Sequence, residues 1–429
     1  MKLVLGALDQ ATRPPILSLF AVVHALLVAA LGVFYLARLD GPLSAERDRV
    51  VTGDYLVFLT GATLLAEGQG ASLYDLALQH RVQNRLVGLE LDRWQPYDYP
   101  PLLALVVRPL VGLPYVRGFQ LYCLAMSLAG IVGALALVSL VPGIARRPRD
   151  ALTIGLLSLA FHPIARTTFG GQNTVLTWAL LTGSLWAVVG DRQIVAGLLI
   201  GLLSYKPQYA APVLLALVVG RAWKAVGVAC VAAGGHYAAG AWMISWKWPL
   251  QMLQALHVLR AHGMYSPEWA ASLGAHFSLI AFFDFVVGGT AATALASLAI
   301  LAMFAALFRF APRAGPRDAE FPLLWSLMVV GGMLASPHLL YYEFGIVVLP
   351  VVVGVETLVR RGRQVNLPLR LALAVLYVGY PWFCDLTVAC GFPPLTLWTV
   401  ALFAWLCSLA QRRDLKNSIA ARVNDSSYS

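Results

Sequence analysis

Long apolar runs recur along the whole chain, and no other feature limits its fold so tightly. They fall at about 16–37, 118–141, 151–165, 173–189, 194–219, 223–244, 290–310, 321–336, 340–359, 368–386 and 390–410. In hydrocarbon every backbone N–H and C=O must be satisfied within its own helix or within a closed barrel. Runs of this length satisfy that as helices, since about 20 helical residues cross a bilayer. Composition agrees: 59% of the 429 residues are hydrophobic and 12% are charged, against about 25% charged in soluble domains. The expectation is an all-α polytopic membrane protein with one integral domain over 1–415 and a tail over 416–429. The run from Ile16 is long enough to span, so an anchor is expected there rather than a cleaved signal.

Charge between the runs sets orientation. The net charge of +10 would suggest nucleic acid in a soluble protein, but here the basic residues sit in short loops. Arg146, Arg147 and Arg149 form one group, Arg192 a second, and Arg221 with Lys224 a third. Arg309, Arg313 and Arg317 follow, then Arg360, Arg361, Arg363 and Arg370, and finally Arg412, Arg413 and Lys416. The positive-inside rule places all of them in the cytoplasm, with Lys2 and Arg13, and no nucleic-acid partner is expected. Arg192 and Arg221 then share a side, yet 194–219 reads as one span. Two short helices meeting at Lys206-Pro207-Gln208 repair the count, because proline cannot continue the first of them. The result is about twelve membrane helices with both termini cytoplasmic. The stretch 271–287 then reads as interfacial or re-entrant.

The longest non-spanning stretch, 39–99, falls outside. In it Val51, Tyr55, Phe58, Ala62 and Leu65 recur at helical spacing, with Gly68 as a C-terminal cap. This predicts an amphipathic helix on or dipping into the outer interface. Trp246, Trp248, Tyr265 and Trp269 make a second outer loop suited to the headgroup level. Cys384 and Cys390 fall at the outer turn between the last two spans, where a disulfide is one expectation.

Five polar segments interrupt this pattern, all on the outer side: Gly53-Asp54-Tyr55, Tyr99-Pro100-Pro101, Arg166 to Asn173, Lys206-Pro207-Gln208 and Ser336-Pro337-His338. Such groups are costly near lipid, so their convergence on one face suggests one site. Asp54 reads either as a helix N-cap or as a general base. Lys206 reads either as a snorkelling residue or as the counter-charge of a phosphate. Gly170 and Gly171 permit close backbone approach, and Gln172 and Asn173 suit sugar hydroxyls; a simple polar turn is the bland alternative. His338 reads as a cap or as a site residue. Glu343, inside an apolar run after Tyr341 and Tyr342, suggests a cavity wall, and Tyr97 or Tyr99 a contact. The chain has no P-loop, no dinucleotide fingerprint and no zinc-spaced His/Cys cluster, so neither metal nor cofactor is expected.

In this order the segments resemble glycosyltransferase family 87, formerly DUF2029, which contains mycobacterial polyprenol-phosphate-mannose-dependent mannosyltransferases. The matching residues are Asp54 with Tyr55 and Phe58, Gly68, Leu73-Tyr74-Asp75, Tyr99-Pro100-Pro101-Leu102 through Pro109, Gly171-Gln172-Asn173, Ala196-Gly197 through Lys206-Pro207-Gln208, and Ser336-Pro337-His338. Glu343 departs from the Asp that many relatives carry there. The resemblance implies a GT-C-type fold with an extracytoplasmic first loop carrying interfacial helices over the site. It implies a polyprenyl-phosphate sugar donor, mannose most often, in a bacterial inner membrane. By the same resemblance Asp54 is the catalytic base and His338 an active-site histidine.

The residues fit that chemistry. A phosphodiester leaves as a stabilised anion and needs positive charge where negative charge grows. Lys206 is the first candidate for that charge, with Arg166 and His338 in support. Gln172, Asn173, Gln208, Tyr99 and Glu343 are the candidates for sugar and acceptor contacts. One base and no nucleophile predict a single displacement with inversion, by analogy with inverting hydrolases. The expected partners are membrane lipid, the lipid-linked donor, and a lipid or glycan acceptor. The competing reading, a lipid-linked glycan flippase or transporter, would place its binding groups near the midplane between repeated halves.

Overall fold

A computed structural model describes residues 14–43, 50–92, 94–261, 277–310, 314–336 and 339–425. Pro337, His338, Tyr265 and Trp269 lie outside these residues. In chain order the helices are α1 (Pro14–Ala37), α2 (Tyr55–Ala66), α3 (Leu76–Val87), α4 (Pro101–Val107), α5 (Tyr115–Leu140) and α6 (Pro148–Ala160). Then come α7 (His162–Phe169), α8 (Thr174–Val189), α9 (Gln193–Leu203), α10 (Pro207–Val219), α11 (Trp223–Met243) and α12 (Trp248–Ala261). The rest are α13 (Leu279–Val287), α14 (Gly289–Phe310), α15 (Phe321–Ala335), a 3-10 helix (Tyr341–Val347) running into α16 (Val348–Arg360), α17 (Leu367–Cys390) and α18 (Pro394–Asp425).

Two kinds of helix make this multi-pass membrane protein. Among the described residues six are long and apolar enough to cross a bilayer: α1, α5, α14, the continuous 3-10 helix with α16, α17, and the first part of α18. Most of these turn apolar side chains outward, as α1 does with Leu19 and Leu26, 66% and 65% exposed. Most of the others are short, and α8 and α15 form the interior, while α11, 21 residues long, turns Val231 and Trp242 outward. Every residue of α15 from Phe321 to Leu334 is buried, as is nearly all of α8. The first packs on α10, α16 and α18, the second on α5 and α9. A helix can stop short of the hydrocarbon thickness where neighbours pack around it, even when one face stays open, as on α9 with Ile194 and Leu198. The 11 residues of α9 rise only about 16 Å, half of a hydrocarbon core about 30 Å thick. The helices therefore end inside the bundle, and their ends carry the polar segments.

The two ends of the bundle differ. At one end the basic loops tie the helices together. Arg317 bonds Asp191 at 2.8 Å and Arg361 bonds Glu320 at 2.7 Å and the Leu409 carbonyl. Glu356 accepts both the Gly143 and Ile144 N–H groups at 2.9 Å. Helices leaving this end arrive at the other, where the start of α5, the N-terminal side of α8, the α9–α10 junction and the end of α15 meet. The split at Lys206 is present: α9 ends at Leu203 and α10 begins with Pro207 in its first turn.

Three expectations are corrected. Helix α2 is not amphipathic: every residue from Tyr55 to Leu64 is buried, packed against α3 and α4. The spaced residues form one stripe, but Leu56, Val57, Leu59 and Leu64 fill the others, and a helix apolar all round goes inside. Gly68 does terminate it, at φ +73° one residue beyond the Glu67 cap. Trp248 is buried, its indole donating to the Tyr237 carbonyl, while Trp246 is exposed. Cys384 and Cys390 are free. Both belong to α17, where six residues rise about 9 Å, beyond the roughly 7 Å between Cα atoms that a disulfide spans.

Candidate functional site

The site begins as a joint between two loops. Gly53 and Gly171 hold left-handed backbone, φ +51° and +76°. A Cβ on Gly53 would strike the Gly170 carbonyl, and one on Gly171 would strike the Thr52 carbonyl. Only glycine lets these backbones touch. The contact carries Asp54 to the side of Gln172. The expected loop from Arg166 is in part helical: Pro163 opens α7 in its first turn, Gly170 closes it, and Arg166 projects from its last turn.

Asp54 does not cap α2. It stands at the N-cap position, but its side chain accepts no backbone N–H of the first turn. Instead the carboxylate is buried, hydrogen-bonded by the Gln172 amide, and faces the Tyr342 hydroxyl at 3.5 Å. Burial pushes this carboxyl, which precedes α2 and lies outside the membrane-spanning segments, up to about 7. The Gln172 hydrogen bond works against that rise, Asp98 and Glu343 add to it, and Lys206 opposes it. All three charges are therefore near. Asp98 went unnoticed in the sequence; its one signal was an acid between Tyr97 and Tyr99 just before the chain re-enters the bundle.

Lys206 is 3% exposed, so it does not snorkel. Its ammonium donates to Glu343 Oε1 at 2.8 Å, and the other Glu343 oxygen accepts the Leu340 N–H. Glu343 is 4% exposed and sits in the 3-10 helix that opens the next span. This pair joins residues 137 positions apart, which no local pattern could reveal.

Tyr341 and Tyr342 extend the cluster. Arg166, itself exposed, donates to the Tyr341 hydroxyl at 2.9 Å and stacks over its ring. Asn173 is 1% exposed, and neither its amide oxygen nor its nitrogen has a partner among the described residues; the same holds for the Gln172 side-chain oxygen. Buried polar atoms are nearly always paired, so unpaired ones mark a place where something else binds. Tyr99 reaches the site by its ring, edge-on to Phe58, while its carbonyl accepts from Tyr74. Gln208 is half-buried in the first turn of α10 without a side-chain hydrogen bond to the cluster among the described residues. Ser336, buried, ends α15 at this same end of the bundle.

A base-capable acid, a buried lysine–glutamate pair and amide atoms without partners among the described residues thus meet where short helices end within a membrane bundle. That is an integral membrane protein with a polar site of the kind that handles charged or hydroxylated substrates. The chain belongs to glycosyltransferase family 87, whose profile matches residues 97–337, and it is a membrane glycosyltransferase. No curated protein and no solved structure matches it. Tyr99, Arg166, Gln172, Asn173, Lys206 and Gln208 fall within the matched segment; Asp54, His338 and Glu343 fall outside it.

Proposed function

We propose that this glycosyltransferase moves a hexose, mannose foremost, from a polyprenyl-phosphate donor to a lipid or glycan acceptor on the extracytoplasmic face of a bacterial inner membrane. The burial of Asp54 against Gln172, beside the unpartnered Asn173 amide and near Lys206, carries this reading. A base is most useful when its pKa lies near the working pH, and burial has moved Asp54 to about 7. In the transfer, the acceptor oxygen forms the new bond to the anomeric carbon as that carbon's bond to the phosphate oxygen breaks. The electron pair leaves with the phosphate and the acceptor proton passes to Asp54. Attack from the side opposite the leaving group inverts the anomeric centre. Asn173 and Gln172 supply donors and acceptors for sugar hydroxyls. Lys206 offers positive charge to the leaving phosphate, with Arg166 and His338 in support. No cofactor takes part.

The orientation follows from charge. The loops gathered around Asp191, Glu320 and Glu356 are the basic ones, which the positive-inside rule keeps in the cytoplasm with both termini. The site end then faces outward, where nucleotide sugars are absent and a donor must arrive through the membrane.

Purified protein offered a panel of labelled polyprenyl-phosphate sugars should transfer one of them, with mannose the first expectation. Transfer from a nucleotide sugar instead, or from none of the panel, refutes the donor class. In intact cells an impermeant thiol reagent should label a cysteine placed at Leu89, which is 41% exposed, and spare cysteines placed at Arg147 and Arg361. The exposed Cys230 and Cys390 must first be replaced. The reverse labelling pattern overturns the orientation.

A further inference from the structure

Away from the Asp54 cluster, a groove of about 550 Å³ opens between the start of α3 and one face of α12. That volume falls in the range of about 300–1,000 Å³ typical of small-molecule sites. One wall presents Ser72, Tyr74 and Asp75, and the other Gln251 and Gln254. The spacing of Gln251, Gln254, Ala255 and Val258 is that of a single helical face. We infer that this groove binds the sugar portion of the acceptor.

Four observations point there. The polar lining is hydroxyl, amide and carboxylate, with no lysine or arginine among the described lining residues. Asp75 would repel a phosphate, which turns the groove away from the donor and toward a neutral, hydroxyl-rich ligand. Amides and carboxylates take up paired sugar hydroxyls; the Gln251 and Gln254 amides and the Asp75 oxygen not engaged by the Leu78 N–H supply such groups. The Gln251 side-chain oxygen is buried without a partner among the described residues, and a ligand hydroxyl would give it one.

Packed residues also join the groove to the residue that bears the base. Tyr74 lines the groove, and the Tyr74 hydroxyl donates to the Tyr99 carbonyl at 3.0 Å. The Tyr99 ring stands edge-on to Phe58 with centroids 5.3 Å apart, and the Phe58 N–H closes the first turn of α2 on the Asp54 carbonyl. The groove is thus coupled to Asp54 through the buried Phe58, and an acceptor sugar held there lies on the same side of α2 as the residue that takes its proton.

This inference rests on the transferase reading, so its test has an arm that needs no transfer. Mannotriose is titrated into purified full-length protein in nanodiscs and its binding followed by saturation-transfer NMR. The variants are Ala77→Trp, which fills the groove from an exposed position, and Gln254→Ala, exposed as well. Both substitutions leave the buried core untouched, so folding should be unaffected. Ala77→Trp should weaken mannotriose at least about tenfold and Gln254→Ala about threefold. In the transfer assay the same variants should raise KM for the acceptor by like factors and leave KM for the donor unchanged. Failure of wild-type protein to bind mannotriose overturns the groove assignment, as does binding unaltered in Ala77→Trp. A raised donor KM with unchanged acceptor KM overturns it too. Binding that responds to both variants, in a protein that transfers no polyprenyl-phosphate sugar, would keep the groove and discard the donor assignment.

Discussion

Asp54→Asn should lower transfer by about 10²–10⁴-fold, the usual cost of removing a general base, without lowering donor affinity. The amide keeps the size and can still meet Gln172 and Tyr342, so geometry survives and only the proton acceptor is lost. A structural role for Asp54 would predict instability, and the structure predicts the opposite sign. Burial raises its carboxyl to about 7 from an ordinary value near 4. The folded state therefore binds this proton more tightly than the unfolded chain does. The stability so gained is full below about pH 4 and is lost as pH rises through 7, where the buried group must ionise. Above pH 7, Asp54→Asn should melt at the same temperature as wild type or higher. Wild-type transfer should rise with pH through about 7 and level off, because protonated Asp54 cannot take a second proton. Near-wild-type turnover in Asp54→Asn, or a flat pH profile with chemistry rate-limiting, would remove Asp54 from the mechanism.

Helix ends were legible in the sequence, and partnerships across the bundle were not. The break at Lys206-Pro207 could be read because the loop charges required it and a proline beside a lysine offered the place, whereas Pro212 and Pro381 stand inside α10 and α17. The glycines at 170 and 171 could be read as permitting a close approach, since a residue without Cβ allows both a left-handed turn and a neighbouring backbone, although the approaching backbone, Thr52 and Gly53, could not be named. Burial of α2 was missed because spacing shows which residues share a face but not how many faces are covered. Asp54 and Tyr342 are separated by 288 positions, and nothing in either neighbourhood refers to the other. The same gap hid the partner of Lys206. Read by sequence it was a lone cation needing a ligand; in the fold it already has a carboxylate.

That partner changes what Lys206→Met should do. With Lys206 free, replacing it would leave stability untouched and weaken only donor binding. Paired at 2.8 Å and almost wholly buried, it neutralises Glu343, and its removal strands a carboxylate in the interior. Breaking a buried pair from one side costs about 3–5 kcal/mol, whereas replacing both members with apolar residues is often neutral. Lys206→Met alone should therefore lower the melting temperature by several degrees and abolish transfer, a result that cannot separate scaffold from site. The combined Lys206→Met and Glu343→Met substitution separates them. It should restore the melting temperature to near the wild-type value, since neither charge remains to be paired, and it should leave transfer abolished, since no cation remains for the leaving phosphate. Lys206→Arg, tested beside it, keeps the charge but brings a planar fork where a compact ammonium fits, and should retain part of the activity. If the doubly substituted protein recovers transfer together with stability, the lysine serves only to hold Glu343, and the phosphate must be met by Arg166 or His338.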